Sequence, residues 1–331
     1  MKNAQVLVTG GAGYIGSHMA KMLHQAGVRV VVLDDLSRGH REALRYGEAC
    51  IGGTGDRELL DSLFSRHSFD AVLHFAAFIE VGESVAAPAA YYHNNVMNAQ
   101  VLLDAMLQYQ VQNLVFSSTA AVFGEPVSIP INETHPKAPV NPYGRSKAMV
   151  EQILEDYQAA YGLQWVSLRY FNAAGADPQG ELGERHHPET HLIPLVLQAA
   201  SGRRSGISVF GNDYDTGDGS CIRDYIHVYD LCQAHMLALE RLLGGRGGGC
   251  YNLGNGQGFS VRQVIEAAGR VTRRNIPAED NPRRPGDPAR LVADSTLARE
   301  ELGWHPRRSD LETIIEDAWR WERDILCTIP G

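Results

Sequence analysis

Through the first half of this chain, short uninterrupted apolar runs alternate with stretches whose apolar positions recur every three or four residues. The runs fall at 6–9, 30–33, 71–75 and 114–117, with a shorter one at 49–51. Being apolar throughout rather than at every second position, they predict strands buried on both faces. The stretches at 15–25, 57–64 and about 89–109 carry the helical period and predict helices between those strands. Strands alternating with helices imply parallel pairing with right-handed crossovers. The pattern therefore predicts an α/β fold, a Rossmann-type doubly wound parallel sheet.

After about residue 175 the pattern changes. Longer loops rich in turn formers appear at 175–188, 211–220 and 244–249. Short strand patterns (207–210, 222–227, 251–253) mix with helical ones (192–200, 231–243, 261–271, 311–326). This predicts a dinucleotide-binding domain over 1–175 and a smaller C-terminal α/β substrate lobe over 176–331. A segment at about 225–250 is expected to return to the first domain.

Composition narrows the class. The 331 residues are 44% hydrophobic and 21% charged, an ordinary globular profile, and the formal net charge of −9 argues against nucleic acid as a partner. No apolar run approaches the ~20 residues of a membrane span, so no membrane partner is expected. The N-terminus enters the first strand directly, with no room for a signal peptide. Five cysteines, odd in number and without a C-x-x-C, fit reduced thiols and a cytoplasmic location. His186, His187 and His191 form the one histidine cluster. It is read as an exposed loop running into a helix start, and no metal is expected.

The chemistry begins where the first strand stops. Thr9 is followed by Gly10-Gly11-Ala12-Gly13-Tyr14-Ile15-Gly16. Gly10 permits a tight turn, Gly13 lets backbone approach a pyrophosphate, and Gly16 lets the helix pack close to the strand. N–H groups at the start of the helix, around Tyr14 and Ile15, suit an anion. The second strand ends in Asp34-Asp35, about 20 residues on, where a carboxylate can accept from an adenosine ribose and repel a 2′-phosphate. That favours NAD over NADP, with Arg38 as a nearby cation.

Asn141-Pro142-Tyr143-Gly144-Arg145-Ser146-Lys147 carries the most specific signal. Pro142 suits a first helical turn, and Tyr143 and Lys147, four apart, share a helix face. An ammonium beside a phenol favours phenolate, which makes Tyr143 a candidate general base. Upstream, the fourth strand run ends in Ser117-Ser118-Thr119, placing hydroxyls where a substrate oxygen can be held.

These motifs in this order resemble the extended short-chain dehydrogenases/reductases, and more closely their UDP-glucose 4-epimerase branch. Further carriers are His74-Phe75-Ala76-Ala77, Val81-Gly82-Glu83-Ser84, Asn94-Asn95, Arg169-Tyr170-Phe171-Asn172, Phe210-Gly211-Asn212, Arg223-Asp224-Tyr225 and Pro282-Arg283-Arg284-Pro285-Gly286-Asp287. The second-half motifs carry the closer likeness. The resemblance implies NAD that accepts hydride from C4 of a UDP-hexose while Tyr143 takes the 4-hydroxyl proton. The 4-keto sugar turns, and hydride returns to its other face. Lys147 would hold the nicotinamide ribose, Thr119 the 4-oxygen, and Asp56 and Arg57 the adenine. Phe75, Ala76, Asn94 and Tyr170 would line the dinucleotide site. Asn172, Arg223 and Arg284 would meet the diphosphate, Asp287 the uridine ribose, and Phe210 the nucleotide.

Three departures are visible. Ile79 stands where some relatives have a lysine reaching the NAD phosphates. His191 replaces an asparagine beside the nucleotide sugar. Leu291 stands between the bulky tyrosine and the small residue that set sugar size. The resemblance implies interconversion of UDP-glucose and UDP-galactose by a homodimer. Epimerisation of UDP-N-acetylhexosamines or UDP-pentoses is the alternative, and a non-enzymatic NAD sensor a more distant one. Ala120-Ala121, following Thr119, lack the acid and base that a 4,6-dehydratase needs.

Overall fold

The computed structural model describes residues 1–284 and 286–326. Pro285 of the second-lobe motif and Cys327 lie outside the described residues.

Strand β1 (Gln5–Thr9) leads through the glycine turn to α1 (Tyr14–Gln25) and then β2 (Arg29–Asp34) and β3 (Glu48–Ile51). Helix α2 (Arg57–Arg66) precedes β4 (Ala71–His74). Three helices follow, α3 (Val81–Ala86), α4 (Pro88–Tyr92) and α5 (Asn98–Gln108), before β5 (Asn113–Thr119), α6 (Pro142–Tyr161) and β6 (Gln164–Tyr170). The helix expected over about 89–109 is thus divided. A π-helical segment, His93–Met97, widens the path between α4 and α5, and such widenings recur near functional sites.

The remaining elements are β7 (Asn172–Ala174), α7 (Leu192–Ala200), β8 (Ile207–Phe210), β9 (Ile222–His227), α8 (Val228–Leu243) and β10 (Gly249–Leu253). Then come β11 (Gly258–Ser260), α9 (Val261–Thr272), β12 (Ala278–Asn281), β13 (Arg290–Leu291) and α10 (Leu311–Leu326). Seven strands form one sheet in the order β3-β2-β1-β4-β5-β6-β10, and every pairing in it is parallel. The strand at 249–253 therefore belongs to the large sheet, although its local pattern resembles the short strands of the second half.

Helices cover both faces, as parallel strands buried on both sides require. Met19 and Leu23 of α1 and Leu231 and Leu239 of α8 pack on one face. Leu60 and Leu63 of α2, Leu102 and Met106 of α5 and Val150 and Leu154 of α6 pack on the other. A second layer system is built from β9 with β11, β13 and β7, the parallel pair β8–β12, and helices α7, α9 and α10 around Ile193, Val264 and Ile314. Asn172 pairs with Tyr225 across β7 and β9, so the second layer begins two residues after β6 ends.

Candidate active site

Strand order reverses beside β1. The chain leaves β1 toward β2 and returns to β4 on the other side, which opens a crevice at the carboxyl ends of these strands. The glycine turn sits in that crevice. Gly10 has φ +73°, and a Cβ there would lie 2.5 Å from the Ala76 backbone nitrogen. A Cβ on Gly16 would lie 2.2 Å from the Gly10 carbonyl oxygen. Gly13 caps α1 without any side-chain hydrogen bond, which leaves the first helical turn to an anion.

Asp34 is buried. It accepts from Ala12 N (2.9 Å) and Leu36 N (2.8 Å), and burial raises its carboxyl above the ordinary range. The cleft is lined by Gly10, Gly13, Asp34, Arg38, Phe75, Ala76 and Asn94, and also by Thr54, Phe78 and Asn98, which the sequence reading did not single out. Arg38 pairs with Glu83 at 2.5 Å and lies over the Phe78 ring. Asp56 instead caps α2 by accepting from Leu59 N, and Arg57 reaches Asp61 and Gln108. Neither lines the cleft. Ile15 packs against the core below, and Tyr14 donates to Gly175 O at 2.7 Å. Asn95 both accepts from Phe78 N (2.8 Å) and donates to Phe78 O (2.9 Å), fixing one wall. A glycine cradle with free backbone and a fixed carboxylate about 20 residues on fits a dinucleotide.

Tyr143, Lys147 and Thr119 meet at the end of β5. Asn141 accepts from Gly144 N at 2.8 Å, starting α6 so that Tyr143 and Lys147 both turn inward. Lys147 Nζ donates to Ser117 O at 2.8 Å and lies 4.9 Å from the Phe116 ring centroid. Burial lowers its ammonium to about 7, with Glu151 pulling the other way. Burial pushes the Tyr143 phenol up to about 12, against the hydrogen bond from Thr119. The sequence pattern implied a phenol lowered by its lysine. In the folded chain desolvation is the largest influence on Tyr143, with Glu80 adding to it and the Thr119 hydrogen bond opposing it. The Tyr170 and Ser117 hydroxyls pair next to them.

Below this site lies a group that periodicity does not reveal. Glu151, fully buried, accepts from Ser118 (2.7 Å), Ser167 (3.0 Å) and Arg169 (two bonds of 2.8 Å). It ties α6 to β5 and β6 one turn beyond Lys147.

The second layer supplies the cations. Arg223 donates to Ile222 O and Pro288 O and pairs with Asp287. The Arg284 guanidinium stacks 3.9 Å from the Phe210 ring centroid. Asn172 Nδ2 donates to Asp224 O at 2.9 Å. Leu291 packs on the small cluster of Ala120, Val122, Phe123 and Ile131, against the turn that follows Thr119. His191 turns to Glu184, 2.6 Å away, and His186 approaches the same carboxylate, so the histidine loop folds around acids. The spacing E-x-H-x-x-E-x-H over 184–191 was the available signal.

Fold and site together define a dinucleotide-binding enzyme with an enclosed tyrosine–lysine pair and a second, arginine-bearing lobe. Comparison with known proteins agrees. The model of the NAD dependent epimerase/dehydratase family matches residues 6–254. A UDP-glucose 4-epimerase of Halalkalibacterium halodurans is 55% identical over 319 residues, covering 96% of each chain. The crystal structure of UDP-glucose 4-epimerase from Brucella ovis in complex with NAD is 51% identical, with a TM-score of 0.94 over 96% of this chain and 97% of that one. The enzyme of that name from Stenotrophomonas maltophila, with bound NAD and formylated UDP-arabinopyranose, is 41% identical, with a TM-score of 0.96 over 99% of this chain and 100% of that one. The chain belongs to the NAD dependent epimerase/dehydratase family.

Proposed function

We propose that this protein is an NAD-dependent UDP-hexose 4-epimerase interconverting UDP-glucose and UDP-galactose. The observation that carries the reading is the enclosed Tyr143–Lys147 pair facing Thr119 at the end of β5, with the arginine-bearing lobe beginning just past Tyr170. NAD, when bound, supplies a hydride acceptor and donor at C4 of the hexose. Gly10, Gly13 and Asp34 hold its adenosine and diphosphate half. With the positively charged nicotinamide beside it, Tyr143 would stand as phenolate, take the 4-hydroxyl proton and return it as the phenol, while Thr119 would orient the 4-oxygen. Lys147, fixed by Ser117 O, holds the nicotinamide ribose beside Tyr143. Arg223 and Arg284 meet the two phosphates through guanidinium forks, and Asp287 meets the uridine ribose.

The test incubates the protein with UDP-galactose and follows UDP-glucose and NADH. UDP-glucose is expected without net NADH. Tyr143→Phe is expected to lower kcat by about 10²–10⁴-fold while keeping bound NAD. Full turnover in that variant would overturn the assignment. A second reading, action also on UDP-N-acetylhexosamines or UDP-pentoses, is supported by half-buried Leu291 at the sugar-size position.

Met97, Met149 and Tyr161 lie exposed on the π-helical segment and α6. This supports a homodimer formed through the two helical regions, to be measured by light scattering. Among the described residues no helix is long and apolar enough to cross a membrane, and Cys50, Cys221, Cys232 and Cys250 are free thiols, which supports a cytoplasmic enzyme.

A further inference from the structure

The loop from Gly175 to α7 carries a cluster that the proposed reaction does not use. Glu184, His186, Glu189 and His191 each present one ligating atom, and these atoms lie within 4.8 Å of one another. His186 Nδ1 is 3.3 Å from Glu184 Oε1 and 3.6 Å from Glu189 Oε2. His191 Nδ1 is 2.6 Å from Glu184 Oε1 and 3.6 Å from Glu189 Oε1.

Metal–ligand bonds of about 2.0–2.2 Å in a tetrahedron separate neighbouring ligand atoms by about 3.3–3.6 Å. Of the four imidazole–carboxylate spacings, three have these values, the two to Glu189 ending on its two different oxygens. The fourth is a hydrogen bond that an ion would replace by opening it less than about 1 Å.

Burial and charge point the same way. The Glu184 and Glu189 side chains are only 5% and 6% exposed. Two enclosed carboxylates at one point are offset either by protonated His186 and His191 or by a metal ion that takes the place of those protons. His186 Nδ1 is buried and, among the described residues, has no hydrogen-bond partner. It faces both carboxylates. Glu184, His186 and Glu189 also line a cavity of about 280 Å³ between the loop and Trp321, which gives an ion a path inward. Trp321 Nε1 donates to Glu184 O at 3.0 Å and holds the strand of loop from behind.

We infer that Glu184, His186, Glu189 and His191 bind one divalent transition-metal ion of the zinc class. Two imidazoles and two carboxylates suit such an ion. There is no sulfur for Cu(I), and too few oxygens for Ca²⁺ or Mg²⁺. The ion would join the loop to the first turn of α7. That junction touches the dinucleotide side twice. Thr190 donates to Glu80 at 2.7 Å, and the Tyr14 ring meets His186 edge-on at 6.5 Å. The site thus acts as a clasp that sets the loop between the two layers, and His191 serves the ion rather than the nucleotide sugar.

The experiment uses the full chain, freed of metal by chelation and titrated with Zn²⁺, and separately with Co²⁺ read by its visible absorption. One ion per chain and an intense tetrahedral Co²⁺ spectrum are expected, with a higher unfolding temperature in Zn²⁺. His186→Ala and Glu189→Gln should each weaken binding by more than about 100-fold, since even losing a group behind a ligand costs 10–100-fold. His187→Ala, at an exposed position outside the set, should bind as the parent does. Circular dichroism checks that the variants are folded, and two different ligands are removed so that one misfolded variant leaves a second test. Substoichiometric uptake by the parent, or equal affinity in a folded His186→Ala or Glu189→Gln protein, overturns the site. Neither readout depends on UDP-sugar turnover.

Discussion

Gly13 and Gly16 stand three residues apart in one turn, yet Gly16→Ala and Gly13→Ala should fail in different ways. A Cβ on Gly16 falls 2.2 Å from the Gly10 carbonyl oxygen and 2.9 Å from both Gly10 C and Gly11 Cα. Contact at van der Waals distance needs about 3.5 Å, so α1 would have to retreat by about 1 Å. The obstructing atoms are all backbone, and no side-chain rotation relieves them. The retreat would loosen Met19 and Leu23, both fully buried beneath α1. Overpacking of this kind costs about 1–3 kcal/mol, and the upper end is expected.

A Cβ on Gly13 meets only Gly10 O, at 3.3 Å. Its φ of −80° is open to any residue, so Gly13→Ala should lower stability by less than about 1 kcal/mol. Its methyl instead enters the cleft that Gly13 lines. NAD binding should weaken by about tenfold to a hundredfold, or roughly 1.4–2.8 kcal/mol. Urea unfolding of the nucleotide-free proteins measures the first effect, and NAD titration by tryptophan fluorescence the second. The reasoning is refuted if Gly16→Ala is no less stable than Gly13→Ala, or if Gly13→Ala binds NAD as the parent does.

Two further outcomes follow from the buried charges. Glu151→Gln strands Arg169 without its carboxylate and should cost about 3–5 kcal/mol of stability, and an unchanged urea midpoint would refute that. Lys147 sits at about 7 when folded against an ordinary 10.5. Between those values the unfolded chain holds a proton that the folded chain lacks, so this lysine's contribution to stability rises with pH across the window. The stability difference between the parent and Lys147→Met should therefore shift in the parent's favour from pH 7 to 10.5. A flat difference would show that Lys147 titrates normally in the fold.

Much of the fold was legible because its signals are local. The strands at 207–210 and 222–227 and the helices at 192–200 and 311–326 coincide with their sequence patterns residue for residue. Apolar runs and helical periods report which neighbouring positions face the core, and they do so within a few residues. The π-helical segment at His93–Met97 escaped notice, because its period differs from an α-helix by less than a short stretch of side chains can report.

The candidate site divides along the same line. The sequence by itself determined the glycine turn, the Tyr143–Lys147 face and the hydroxyls at the end of β5, since each depends on spacing along one element. Only the tertiary structure decided that residues 249–253 complete the large sheet, that Glu151 braces Arg169 under the site, and that Arg223 meets Asp287. It also decided the balance at Tyr143 and Lys147, and it closed the histidine loop around Glu184 and Glu189. The physical reason is common to all of these. Enclosure and partner choice depend on groups brought from distant parts of the chain, and no local pattern records how much water those groups exclude.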